Sequence, residues 1–166
     1  MYRKVDDFVE NWGDESEATI NLLNHLTPSS LQQKVTPEGR SLGRLAWHLV
    51  VTLPEMLNRT GLGIEGPAEN ADIPETVQEI IEAYRQAAKQ VSQQVKKNWK
   101  DSDLLEEIDL YGEKWKRGKV LLSLILHQAH HRAQMTVLMR QAGLKVPGIY
   151  GPSREEWQEM KMPPME

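Results

Sequence analysis

The sequence predicts an all-α protein: an antiparallel four-helix bundle with a short extra helix at the C-terminus. Three observations carry that prediction. Four long stretches place apolar residues at helical spacing, the connections between them are modest in length, and no stretch sustains a convincing strand alternation. No repeat, linker or low-complexity tract divides the chain, so residues 1–166 read as one domain.

The first helix is expected over roughly Tyr2 to Leu26, with Val5, Phe8, Trp12, Leu22, Leu23 and Leu26 on its apolar side, and Thr27-Pro28 ends it. The second starts after Ser41, a side chain suited to accept from the free amides of a first turn, and carries Leu42, Leu45, Trp47, His48, Leu49 and Val51. Pro54 is expected to kink or end it, because proline lacks a donor and crowds the preceding turn. A loop containing Gly61, Gly63, Gly66 and Pro67 follows. The third helix is expected to open at Asp72, with Glu75 reaching back in a capping box, and its seam is Val77, Ile81, Tyr84, Ala88, Val91 and Val95. The long connection before it leaves the bundle topology open. Gly118 to Ala142 form the fourth helix, closed by Gly143, and Ser153 with Glu156 caps a short terminal helix. The one strand candidate, Ile108 to Tyr111, is short.

Composition narrows the function classes. The chain has no cysteine, which removes disulfides, thiolate zinc sites and a cysteine nucleophile together and suits a reducing cytoplasm. Neither a signal-peptide-like run nor about 18 consecutive apolar residues occurs, so a soluble cytoplasmic protein without a membrane partner is expected. Twenty basic residues against 24 acidic give a net charge of −4. Proteins that bind nucleic acid carry basic patches, because counterion release from phosphates drives their affinity. The densest basic cluster here, Lys114 to Lys119, reads as a solvated loop and helix start, and no nucleic-acid partner is expected.

Against this background the histidines stand out. His127 and His131 are four residues apart, so both imidazoles lie on one helix face, shared with Val120, Leu124, Met135 and Leu138. A buried imidazole costs free energy unless its nitrogens are hydrogen-bonded or ligated. His48 faces a mostly apolar side of the second helix, whereas His130 falls at the edge of its face. Two imidazoles from one helix and one from another would make a three-nitrogen metal site with at least one open position, the arrangement of catalytic zinc. Imidazole also suits nickel, copper and iron, so the spacing does not choose the metal. Spacing alone also leaves satisfied core histidines as an open alternative. Other bundle and protease chemistries are excluded by inspection. No histidine has a glutamate three residues before it, as di-iron carboxylate sites require. Gln128 stands where the zincin motif needs glutamate, and no Gly-rich phosphate loop or GxSxG occurs.

His48 within LAWHL, the run His127-Gln-Ala-His-His131-Arg132-Ala-Gln134 and the following VPGIYGPSREEW resemble the DinB-like (DinB/YfiT-like) family over essentially the whole chain. The family's signature has glycine after the arginine, where this chain has Ala133. The resemblance implies a bundle in up-down-down-up order, a homodimer, and a divalent metal held by His48, His127 and His131, with zinc or nickel favoured over iron or manganese. It also implies a small-molecule substrate. Some relatives are thiol-dependent S-transferases or isomerases in which the metal activates a low-molecular-weight thiol.

Three readings of function follow: thiol S-transfer, hydrolysis by metal-bound water, and a non-catalytic metal- or ligand-binding bundle. Hydrolysis lacks an evident general base, since Glu55 lies two turns from His48 beyond Pro54. Gln134 and Arg44 are candidates for orienting a substrate, and the resemblance implies that the loop carrying Tyr150 lies near the site, which makes Tyr150 a candidate for lining the pocket mouth. Arg132 reads as a helix-surface ion pair, and Trp47 and Trp115 as core packing.

Overall fold

A computed structural model describes residues 1–163. Four long helices form the bundle: α1 (Val5–Leu23), α2 (Leu42–Asn58), α3 (Val77–Asn98) and α4 (Arg117–Gln141), with α5 (Arg154–Glu159) near the C-terminus. α1 and α2 each pack against both α3 and α4, so α1 and α2 sit on opposite corners. Pairings along the helices give their directions. Trp12 Nε1 donates to the Ala88 carbonyl and Lys96 pairs with Asp6, so α1 and α3 are antiparallel. The Tyr2 amide donates to the Gly118 carbonyl while Arg132 reaches Glu15, so α1 and α4 run together. Leu45 shares a cavity wall with Leu138, and Leu49 meets Gln128, so α2 opposes α4. The order is therefore up-down-down-up. Because α2 and α3 run parallel, residues 59–76 must travel back along the bundle, which explains their length.

The capping chemistry corrects one helix start. α3 begins at Val77, four residues or so later than expected, because Thr76 rather than Asp72 is its cap. Thr76 Oγ1 accepts from the Glu79 amide at 3.2 Å and Glu79 Oε2 accepts from the Thr76 amide at 3.1 Å. That reciprocal pair satisfies two otherwise free donors, and Glu75 has no such role. Pro54 does not end α2, which continues to Asn58 with Met56 and Leu57 buried. Burial of one more apolar turn offsets the single backbone bond proline removes. α1 stops before Leu26, and Thr27 with Pro28 opens a short 3₁₀ turn to Gln32. Ser153 and Glu156 form the expected box at α5.

A two-stranded hairpin, β1 (Glu107–Leu110) and β2 (Glu113–Lys116), enters between α3 and α4. Its turn residues Tyr111 (φ 55°) and Gly112 (φ 81°) both have positive φ, the backbone twist that matches a two-residue hairpin turn. Within the basic cluster, Arg117 pairs with Glu106 at 2.7 Å and Lys119 lies 3.8 Å from the Trp115 ring centre. Gly118 allows the N-terminus to close on α4. A methyl group there would sit 2.1 Å from the Tyr2 carbonyl oxygen. No helix among the described residues is long and apolar enough to cross a membrane.

Candidate metal centre

α4 carries a buried face of Val120, Leu124, Met135 and Leu138, and its crossing with α2 brings His127 and His131 against His48. His127 Nε2 lies 3.2 Å from His48 Nε2 and 3.2 Å from His131 Nε2. Two nitrogens held roughly 2.0–2.1 Å from one metal at a tetrahedral angle stand about 3.3 Å apart, so the spacing fits a first-row divalent ion. As a hydrogen-bonded cluster the same geometry is poorly satisfied. His127 Nε2 faces two nitrogens but offers one proton or one lone pair, and its Nδ1 is buried without a partner.

Neighbouring side chains set the ring orientations. His131 Nδ1 meets Gln134 Oε1 at 2.8 Å, while Gln134 Nε2 meets His130 Nε2 at 3.1 Å. An amide oxygen can only accept, so Nδ1 of His131 carries the proton and its Nε2 lone pair faces the cluster, the tautomer a ligand needs. Gln128, fully buried, donates to the Leu49 carbonyl at 3.1 Å and accepts from the Tyr84 hydroxyl at 3.0 Å. It ties α2, α3 and α4 together beside the histidines. Ala133 is exposed, so its methyl group meets solvent rather than a packed helix.

Burial, and then the charges of neighbouring histidines, pushes His127 down to about 4. His48 is also pushed down to about 4, first by burial and then by His131, Arg40 and Arg44. His131 is lowered by burial as well, against the opposing hydrogen bond from Gln134. All three rings are neutral at physiological pH and available as ligands. An unfolded histidine takes up a proton near pH 6.5, whereas folded His48 and His127 resist until about 4. Between those values the unfolded chain binds more protons, so acidification destabilises the metal-free fold, and the full stability returns above pH 6.5. The melting temperature of metal-free protein should therefore drop more steeply from pH 7 to 4.5 than that of His127→Ala. Parallel curves would contradict the depressed values.

Several residues depart from their expected places. Arg132 is not a surface ion pair: it is 1% exposed and binds Glu15 through the side chain and the backbone carbonyl, with Thr19 Oγ1 at 3.0 Å. Its neighbour in sequence, His131, faces the histidine cluster, but Arg132 itself points across the bundle to α1. The Tyr150 hydroxyl joins that pair, donating to Glu15 Oε2 at 2.9 Å, so its polar end secures α1 to α4 instead of serving the histidines. Trp47 is buried in the core as expected and donates to the Ala71 carbonyl at 3.1 Å, pinning the 59–76 connection over α2. Trp115 is only half-buried and sits on the hairpin. Arg44 does line a cavity beside His48, together with Arg40, Glu69 and Asn70. Arg40, Glu69 and Asn70 escaped the sequence reading because they lie in connections without periodicity. Glu55 reaches His127 electrostatically, but its oxygens accept from Arg59 and from the Tyr111 hydroxyl, each at 2.7 Å.

Comparison with known proteins identifies the family and the fold. A model of the DinB family matches residues 1–163. An uncharacterized protein, YrdA, of Bacillus subtilis (strain 168) is 46% identical over 157 residues, covering 95% of this chain and 94% of that one. The crystal structure of a DinB-like protein from Bacillus cereus ATCC 10987 superimposes with a TM-score of 0.87 at 41% identity, over 90% of this chain and 100% of its own. A DinB-like protein of B. subtilis, YjoA, shares the fold at a TM-score of 0.66 and 17% identity, over 86% of this chain and 97% of its own. With its histidine cluster in place and its whole described length matched, the chain belongs to the DinB family.

Proposed function

We propose that the chain is a metal-dependent enzyme of thiol S-transfer type, with His48, His127 and His131 holding a divalent ion, zinc or nickel by preference. The observation that carries the reading is the convergence of three neutral imidazole nitrogens beside a solvent-reached cavity. Such a donor set suits borderline ions and leaves coordination positions for a small molecule. When bound, the ion supplies positive charge that lowers the pKa of a coordinated thiol or water.

The protein's own residues favour a thiol. A free thiol ionises near pH 8.5 and needs little help at neutral pH, whereas a water nucleophile gains most from a protein base. Glu55, the carboxylate whose field reaches His127, has its oxygens engaged by Arg59 and Tyr111. In the transfer, the thiol proton goes to solvent, sulfur forms a bond to the electrophilic carbon, and the leaving group departs with its bonding pair. Gln134 holds His131 in register, and burial keeps the rings uncharged. The small-molecule substrate, and the homodimer the resemblance implies, belong to the same proposal.

The test uses untagged, zinc- or nickel-loaded protein with glutathione, cysteine or another small thiol and a chloronitrobenzene. Thiol-dependent turnover that disappears in His48→Ala is expected. Full metal occupancy with no thiol-dependent turnover by any thiol would overturn the reading.

A further inference from the structure

Two cavities, each of about 410 Å³, flank the histidine centre and share one residue, Arg40. The first is polar, walled by Arg40, Arg44, His48, Glu69 and Asn70. The second is mostly apolar, walled by Val35, Leu45, Val137 and Leu138, and also lined by Gln134, which meets His131. A ligand spanning both would pass Arg40, with His48 on the wall of the first cavity and Gln134, the partner of His131, on the wall of the second. Val35 and Val137 leave most of their apolar surface exposed on the second cavity, 64% and 53%. Among the described residues neither Arg40 nor Arg44 forms an ion pair. Their charge nonetheless reaches the site, since both push the pKa of His48 down and Arg40 does the same to His131.

Two uncommitted guanidiniums on a cavity wall offer planar, multiply donating sites for a carboxylate. Glu69 on the same wall reduces the local excess to one positive charge, which matches a monoanion better than a phosphate dianion. We infer that the substrate is a small amphipathic monocarboxylate, its carboxylate held between Arg40 and Arg44 and its apolar chain lying against Val35, Leu45, Val137 and Leu138. This rests on the histidine centre being the reactive site. It adds the class of molecule that reaches it.

Octanoate is a suitable probe, titrated calorimetrically into the full chain both zinc-loaded and metal-free. The metal-free arm separates this proposal from the metal chemistry, because capture by the arginines needs no ion, whereas direct ligation of a carboxylate does. In both arms Arg40→Gln and Arg44→Gln should each weaken octanoate roughly tenfold, the worth of one charge-assisted contact. Val137→Asn, on an exposed position that spares the core, should weaken it several-fold. Acetate, lacking the chain, and octanol, lacking the charge, should each bind at least roughly tenfold more weakly than octanoate. Unchanged octanoate affinity in both arginine variants would overturn the proposal. So would octanol binding as tightly as octanoate, which leaves only an apolar site, or acetate doing so, which leaves only an anion site. Melting curves matching the wild type exclude misfolding as the cause of any loss.

Discussion

Arg132→Met is expected to destabilise the protein by about 3–5 kcal/mol, the cost of stranding one partner of a buried ion pair. For a chain of this length that lowers the melting temperature by roughly 6–20 °C. Arg132 is among the largest fully buried side chains, and Glu15 opposite is 8% exposed. Removing the guanidinium leaves Glu15 with the Tyr150 hydroxyl but no countercharge, and frees the Glu15 carbonyl and Thr19 Oγ1 from their donor. The double variant Glu15→Leu with Arg132→Met should recover most of the loss, because apolar replacements remove the desolvation cost along with the attraction. Thermal and urea unfolding of the wild type, both single variants and the double variant complete the cycle. A loss below about 1 kcal/mol in Arg132→Met would mean the pair is solvated. The pair matters to function through position. It locks α4 against α1 one residue beyond His131 and so fixes the histidine face toward α2.

His127→Ala should weaken divalent-metal binding by roughly a thousandfold or more, since even residues that merely hold ligands in place are worth 10- to 100-fold. His127 is the shared vertex of the cluster, with both 3.2 Å nitrogen contacts running to it. Stability should move the other way. The ring carries a buried nitrogen without a partner and a pKa pushed down to about 4, so its loss relieves the metal-free protein. Competition against a chromogenic chelator reads the affinity, and melting of the metal-free proteins near pH 5 reads the stability. A variant that both keeps the metal and melts lower would show His127 to be a structural core residue.

Much of this arrangement was legible in the sequence for identifiable reasons. The four-residue spacing of His127 and His131 on the Val120, Leu124, Met135 and Leu138 face is a local property of a helix, and the structure keeps it. His48 could be named as a candidate from its own apolar face, but its approach to α4 depends on the bundle order. That order depends on pairings such as Trp12 with Ala88, which periodicity does not encode. Of the hairpin, the strand candidate Ile108 to Tyr111 falls on β1, whereas β2 and the turn left no signal, because Tyr111-Gly112 is an unusual pair for a positive-φ turn and Glu113 to Lys116 carries charge in place of alternation. Glu15 did leave a signal. It lies on the Phe8, Trp12, Thr19 and Leu22 stripe of α1, and a carboxylate on a seam demands a buried cation. The burial of Arg132 has no such local signal, since its helix neighbours Ala133 and His130 are exposed and only the packing of α1 against α4 turns it inward.

Whether His48, His127 and His131 hold one metal ion together is open to direct measurement. X-ray absorption of the untagged protein carrying one equivalent of zinc tests it most directly. The predicted spectrum has three histidine nitrogens at roughly 2.0–2.1 Å plus lighter oxygen or nitrogen scatterers from solvent, and His48→Ala loses one imidazole shell. Fewer than three imidazoles in the wild type, or a spectrum unchanged by His48→Ala, would contradict it.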